Sequence, residues 1–210
     1  AFRLMYLPIG LFGVSIATAT LPAVSRHVAQ HDEGAARRTV ADGLSLMLML
    51  NVPATVGLVV LATPIVRVIF ERGAFTPADT AATAAALQFY AVGLVGYSIV
   101  RIASPVFYAL GQSRTPVLVS AATVLTNVVL NLALVRVMGY RGLALGTSIA
   151  ALLNAAMLMF FLRRRLDGIE GRRVAGSMAR IAVASALMGL AAIAVESASG
   201  AWLPGSGLAP

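Results

Sequence analysis

The sequence predicts an all-α protein, a polytopic membrane helix bundle of about six transmembrane helices. Three observations carry that prediction. Charged residues make up only 11% of the 210-residue chain and hydrophobic residues 59%, with a mean hydropathy of +0.88, whereas a soluble domain carries about 25% charge. The charges also punctuate six long, charge-poor windows instead of being spread evenly. No window shows the two-residue alternation of a membrane barrel, so in lipid the backbone must satisfy its hydrogen bonds within helices.

The first window, Leu4–Ser25, lies between Arg3 and Arg26 and holds 22 uncharged residues, enough to cross about 30 Å of hydrocarbon. Pro8 and Pro22 inside it predict bends. The second window runs from Gly43 to Val66. The polar stretch before it, residues 27–43, is helix-compatible and predicts an amphipathic lead-in, while residues 63–79 mix apolar and basic positions as a short interfacial helix does. The third window, Thr80–Ser113, is interrupted only by Arg101. Its start is well signalled: Thr76 at the N-cap, Pro77 at the first helical position and Asp79 near the positive end of the helix. By the same logic Thr115 is read as the cap of the fourth window, Thr115–Val135, with Pro116 just inside.

The fifth window, Gly142–Leu162, opens on a Gly142/Gly146 small-residue face that predicts close packing on a neighbour. The sixth, Val174–Val195, is interrupted by Arg180, which lies near enough to the helix start to reach the membrane interface. The organisation read from these windows is five spans over residues 1–163, a basic loop over 164–173, an additional span over 174–196, and a short tail over 197–210. The start has no initiator Met, charged leader or cleavage signal, and reads as a chain cut inside a helix.

Loop charge orients the bundle, because arginine and lysine accumulate on the cytoplasmic side. With the first window ending in the cytoplasm, nine arginines (Arg26, Arg37, Arg38, Arg114, Arg163, Arg164, Arg165, Arg172 and Arg173) face inward. Four face outward: Arg67, Arg72, Arg136 and Arg141. The net charge of +8 therefore reflects topology. Nucleic-acid binding needs basic residues clustered on a wet face, and here they separate apolar segments. Anionic lipid headgroups suit the Arg163–Arg165 loop, although a topology signal explains it as well.

Polar residues inside the windows mark candidate sites. Tyr97, Arg101, Ser104 and Tyr108 share one helix face beside Pro105. An arginine at membrane depth costs at least about 2.5 kcal/mol and so lines a cavity or finds a partner. The 13 residues to Arg114 correspond to about 20 Å, long for snorkelling. Ser120, Thr123, Asn127 and Asn131 form one face of the fourth window, and Thr147 and Asn154 one face of the fifth. Asn127, Asn131 and Thr147 offer oxygen ligands to a cation such as sodium. No carboxylate accompanies them, which favours plain helix–helix hydrogen bonding. Catalysis finds no support: His27 and His31 beside Asp32 and Glu33 are weak metal ligands, and no Gly-rich phosphate loop or intramembrane carboxylate pair is present. With no cysteine, thiolate metal sites and disulfides are excluded.

Ordered motifs then identify a family. The run from Arg3 through Pro8, Gly10 and Gly13 to Thr18-Ala19-Thr20-Leu21-Pro22, then Asn51-Val52-Pro53-Ala54, Phe70-Glu71-Arg72-Gly73-Ala74-Phe75, Phe107-Tyr108-Ala109-Leu110 and Thr115-Pro116-Val117 resembles the MurJ/MviN lipid II flippases. These belong to the multidrug/oligosaccharidyl-lipid/polysaccharide exporter superfamily. The resemblance implies a bacterial inner-membrane protein, monomeric in full length, with two six-helix lobes plus two further helices. This chain would supply helices eight to thirteen, most of the C-terminal lobe of a MATE-like transporter. It implies no enzyme activity but alternating-access transport of undecaprenyl-pyrophosphate-linked peptidoglycan precursor, lipid II, to the outer leaflet. It places a cavity arginine for the diphosphate at Arg3 alone; Arg101, read from its depth in the third window, is the weaker substrate-binding candidate. No cofactor is implied, and sodium and membrane-potential coupling both stay open. A cation-coupled drug or polysaccharide exporter of the same superfamily would need an acidic residue in the fourth or fifth window, and neither has one.

Overall fold

The structure is a computed structural model that describes residues 2–202, with the side chains of residues 2, 3, 12, 172 and 199–202 outside the description. Among the described residues five helices are long and apolar enough to cross a membrane: α3 (Glu33–Val60), α5 (Pro77–Ala109), α6 (Arg114–Met138), α7 (Tyr140–Arg165) and α8 (Gly171–Trp202). A sixth span forms when α1 (Phe2–Pro8), a π-helical segment (Ile9–Gly13) and α2 (Val14–Ala29) are taken together. The short α4 (Ala62–Phe70) follows α3. Among the described residues there is no strand.

The first span departs most from the expected helix. Both prolines were expected to bend it, yet Pro22 lies inside an uninterrupted α2. The 40° bend falls between Leu11 and Val14, just past Pro8. Proline removes one N–H from the ladder, and the π-helical turn that follows shifts the pairing by one residue, a common device at functional positions. Gly13 permits close approach here: a Cβ would sit 3.0 Å from Met47 Cε on α3.

The turn after α2 sets up the next helix. His31 adopts the left-handed conformation (φ 55°), its N–H reaching Val28 O and that of Asp32 reaching His27 O, a Schellman termination. Asp32 then caps α3, its carboxylate accepting from Ala35 N at 2.8 Å. The expected lead-in is therefore the first part of α3 itself, continuous from Glu33 to Val60. The span breaks at Leu61, five residues earlier than the charge-free window suggested, and α4 supplies the expected short helix. Thr76, Pro77 and Asp79 form the anticipated capping box: Thr76 N donates to the Asp79 carboxylate at 2.9 Å, and Asp79 N to the Thr76 hydroxyl at 3.3 Å.

The fourth cap was misread. Helix α6 starts at Arg114 with Ser113 as N-cap, leaving Thr115 inside the first turn. The Gly111 turn (φ 70°), closed by Gln112 N to Phe107 O at 2.9 Å, ends α5 early enough for α6 to begin sooner. The basic loop is likewise shorter than 164–173, since α7 continues through Arg165 and α8 begins at Gly171. Of the tail expected over 197–210, α8 takes residues up to Trp202 and the remainder lies outside the described residues.

The helices form a row, α6–α7–α5–α3–α8, with the first span seated against α3 and α5. Two buried clusters hold its ends. One gathers Val24, Val40, Phe107, Val119 and Leu162 around the α2–α3, α5–α6 and α7–α8 turns. The other gathers Met5, Ala62, Val66, Leu87 and Leu94 at the opposite end. Between lipid-immersed helices, close packing is what separates a neighbour from a lipid tail. The seams are accordingly built from small residues: Gly96 lies on the Ala151 backbone, and Ser148, beside Gly93, donates to Phe89 O at 2.6 Å. Gly142 and Gly146, expected as a packing face, meet the Leu134 backbone and the Asn131 side chain on α6.

Candidate functional site

Helix α5 turns its small-residue face to α7 and its polar face to a cleft. The four residues read as one stripe, Tyr97, Arg101, Ser104 and Tyr108, all line a cleft of about 300 Å³ that Tyr6 and Ile9 of the first span close from the other side. A second cleft of about 280 Å³ runs beside it, walled by Val14, Ala17, Thr18 and Leu21. Arg101 and Pro105 belong to both and form the ridge between them. Arg101 is exposed and makes no hydrogen bond or ion pair among the described residues. A guanidinium carries five donors in a rigid fork and pairs well with carboxylate or phosphate.

Its depth differs from the expected value. Because α5 ends at Ala109, Arg101 is eight residues, about 12 Å, from the helix end. Helix α5 has 33 residues and is about 50 Å long, so it overshoots a 30 Å hydrocarbon core. Arg101 thus stands in the half of α5 nearer the arginine-rich side of the bundle, within reach of that interface.

Aromatic rings make up much of the first cleft. The Tyr6 and Tyr97 rings meet with centroids 5.8 Å apart, tilted by 48°, and Tyr108, also in the wall, is 55% exposed. Helical periodicity found the α5 half of this wall. It missed Tyr6 and Ile9, because spacing within one helix says nothing of which other helix faces it. Arg3 lies in α1, but its side chain is outside the described residues.

The α6–α7 seam holds the second candidate set. Asn131 Nδ2 donates to Asn127 Oδ1 at 3.0 Å, and Thr147 donates to Leu143 O of its own helix at 2.8 Å. Asn131 Oδ1 is buried against Gly146 without a hydrogen bond, as is Asn154 Oδ1 elsewhere on α7. These helices bring no carboxylate, and the oxygens left with spare lone pairs fall short of the six or more that hard cations collect. Asn127, Asn131 and Thr147 would therefore form only part of a cation site. No group of three His, Asp or Glu side chains converges among the described residues.

Two further polar positions lie on α3 and α8. Asn51, which the sequence reading used only as a motif residue, is fully buried on α3, donating to Met47 O at 2.9 Å while its Oδ1 has no partner. A lone amide inside the apolar run 44–60 was the available signal. Arg180, expected at the interface, donates to Gly176 O and lines a groove between α3 and α8 with Ser45, Met49 and Ser177.

Comparison with known proteins places this architecture. A family profile described as "Lipid II flippase MurJ" matches residues 1–209. The chain is 39% identical over 189 residues to a "Probable lipid II flippase MurJ" of Vibrio cholerae, covering 89% of this chain and 35% of that protein. It is 35% identical over 160 residues to the "Lipid II flippase MurJ" of Thermosipho africanus, covering 76% and 33%. A solved structure, "Lipid II flippase MurJ, inward closed conformation", superposes with a TM-score of 0.75 at 28% identity, covering 90% of this chain and 40% of that one. The chain spans about a third of the length of the curated relatives it matches.

Proposed function

Because the chain belongs to the MurJ family of lipid II flippases, we propose that it forms one helical part of a transporter in a bacterial inner membrane. The cargo is the undecaprenyl-diphosphate-linked disaccharide-peptide, moved from the cytoplasmic to the periplasmic leaflet by alternating access. The observation that carries this reading is Arg101: a cation without a partner among the described residues, on the ridge shared by two clefts between α5 and the first span.

The chemistry runs in order along the cleft. Loop charge, nine arginines against four, puts the Arg101 end of α5 at the cytoplasmic leaflet, where such a substrate is made. There Arg101 draws in the diphosphate by charge-assisted hydrogen bonds, which are about twice as strong as neutral ones. Arg3, one span away in α1, takes the diphosphate deeper in the cavity; this role rests on its place in the family motif. The bent first span supplies a joint. A helix interrupted by a π-helical turn at Ile9–Gly13 can change its angle there with less disruption than a regular one. In the same reading Asn127 and Asn131 serve helix packing, and a cation at Asn127, Asn131 and Thr147 would need an acidic ligand from outside these helices.

The test is a chimera in which this chain replaces the matched stretch of the Vibrio cholerae relative, expressed in bacteria depleted of their own flippase. Growth is expected from the chimera, none from its Arg3→Ala variant, and partial growth from Arg101→Leu. Normal growth of Arg3→Ala at normal expression removes the cavity role. An Arg101→Leu defect equal to or larger than that of Arg3→Ala reverses the ranking.

A further inference from the structure

The ridge at Arg101 separates two unlike compartments, and their difference can be read chemically. On one side the walls carry three phenols and a serine hydroxyl: Tyr6, Tyr97, Tyr108 and Ser104. On the other they are aliphatic, with Val14, Ala17 and Leu21. The single hydroxyl there, Thr18, spends its proton on the carbonyls of Val14 and Ser15 at 2.9 and 3.0 Å. An amphiphile whose anionic centre sits at Arg101 would therefore meet rings and hydroxyls in one direction and hydrocarbon in the other.

We propose that the tyrosine compartment of Tyr6, Tyr97 and Tyr108 is the saccharide subsite of the cleft, reading the sugar attached to the diphosphate that Arg101 holds. This inference rests on the flippase reading and adds the residues that tell a glycosylated polyprenyl diphosphate from a bare one. A sugar ring offers polar edges and C–H faces at once, and a phenol meets both, with an apolar ring face and a hydroxyl that donates and accepts. The geometry suits such a ligand. Tyr6 and Tyr97 are tilted by 48° at 5.8 Å, so they form a corner and not a closed stack. Tyr6 is 38% and Tyr108 55% exposed, leaving ring surface uncovered along a cleft of about 300 Å³, the lower end of the range for small-ligand pockets. The order along α5 fits as well: Tyr97 is four residues before Arg101 and Tyr108 seven after it, so all three stand on one face within three turns. The hydrocarbon chain would then lie against the Val14–Leu21 face, where no free polar group meets it.

The test uses the purified Vibrio cholerae chimera in detergent and two ligands, lipid II and undecaprenyl diphosphate. Both share the prenyl diphosphate, and only the first carries sugar. Tyr97→Leu is expected to weaken lipid II binding by about threefold to tenfold while changing undecaprenyl diphosphate by less than about twofold. Tyr108→Leu, at a more exposed ring that the fold does not need, should act in the same direction. Arg101→Gln should weaken both ligands together. Equal loss of both ligands in the two tyrosine variants, or loss of neither, overturns the saccharide subsite while leaving the flippase reading standing. If the unsubstituted chimera binds neither ligand, the flippase reading fails and the subsite falls with it.

Discussion

Gly96 is a position where the bundle should tolerate even a single added methyl group poorly. It lies on the face of α5 pressed against α7, and a Cβ built there would stand 2.6 Å from Ala151 O, 2.7 Å from Ala151 C and 2.8 Å from Leu152 N. Ordinary van der Waals contact begins near 3.4 Å, so α5 and α7 must part by about 0.8 Å. The obstacle is backbone, which cannot swing aside as a side chain can. The seam is also pinned by the 2.6 Å bond from Ser148 to Phe89 O, which lengthens as the helices separate. Overpacking of this kind costs about 1–3 kcal/mol, and because α6 packs mainly on α7, the displacement carries beyond one contact. Gly96→Ala should therefore lower the melting midpoint of the detergent-solubilised chimera by several degrees, and Gly96→Leu should reduce its folded yield. The control is Gly176→Ala on α8, where a Cβ meets nothing within 4 Å; it should be neutral or mildly stabilising, since alanine favours helix over glycine by about 1 kcal/mol. A Gly96→Ala protein that melts with the unsubstituted one would refute the close α5–α7 approach.

Three further outcomes follow from the same geometry. Thr76→Ala removes the capping box of α5 and should cost about 0.5–2 kcal/mol in thermal stability, whereas Thr115→Ala, inside the first turn of α6, should cost nothing; the reverse ranking contradicts the cap assignments. Asn131→Leu removes a hydrogen bond to Asn127 within α6 and should change stability by no more than about 1 kcal/mol, leaving any sodium response of transport intact; a sodium response that vanishes would instead assign the amide pair to a cation. Reporter fusions at His31 and at Arg141 should land on opposite sides of the membrane, and finding both on one side removes the orientation.

The parts of the fold that depend on one helix at a time were legible in the sequence. Charge-free windows located six spans because no other solvent tolerates them, and Thr76-Pro77-Ala78-Asp79 announced a helix start because capping is local chemistry. The Tyr97–Tyr108 stripe was legible for the same reason, since 3.6-residue periodicity defines a face. What escaped were features set between helices. Pro8 and Pro22 look alike in the sequence, yet the bend lies past Pro8, where Gly13 closes onto Met47, and α2 runs straight through Pro22. Proline weakens a helix locally; its neighbours decide whether it bends. Tyr6 and Ile9 were missed as cleft walls for a related reason. The snorkelling distance of Arg101 was overestimated because Gly111 ends α5 before the charge-free window ends. Of the candidate residues, Arg101 lines two clefts, whereas the side chain of Arg3 lies outside the described residues.

The most direct measurement is flipping itself, followed in vesicles containing the purified Vibrio cholerae chimera and fluorescent lipid II, as the fraction of label reached by a membrane-impermeant quencher over time. Protein-dependent exchange between leaflets is expected, slowed about tenfold or more by Arg101→Leu through loss of a charge-assisted bond to the diphosphate. Exchange at the protein-free rate, or exchange that Arg101→Leu leaves unchanged, would contradict the proposed function.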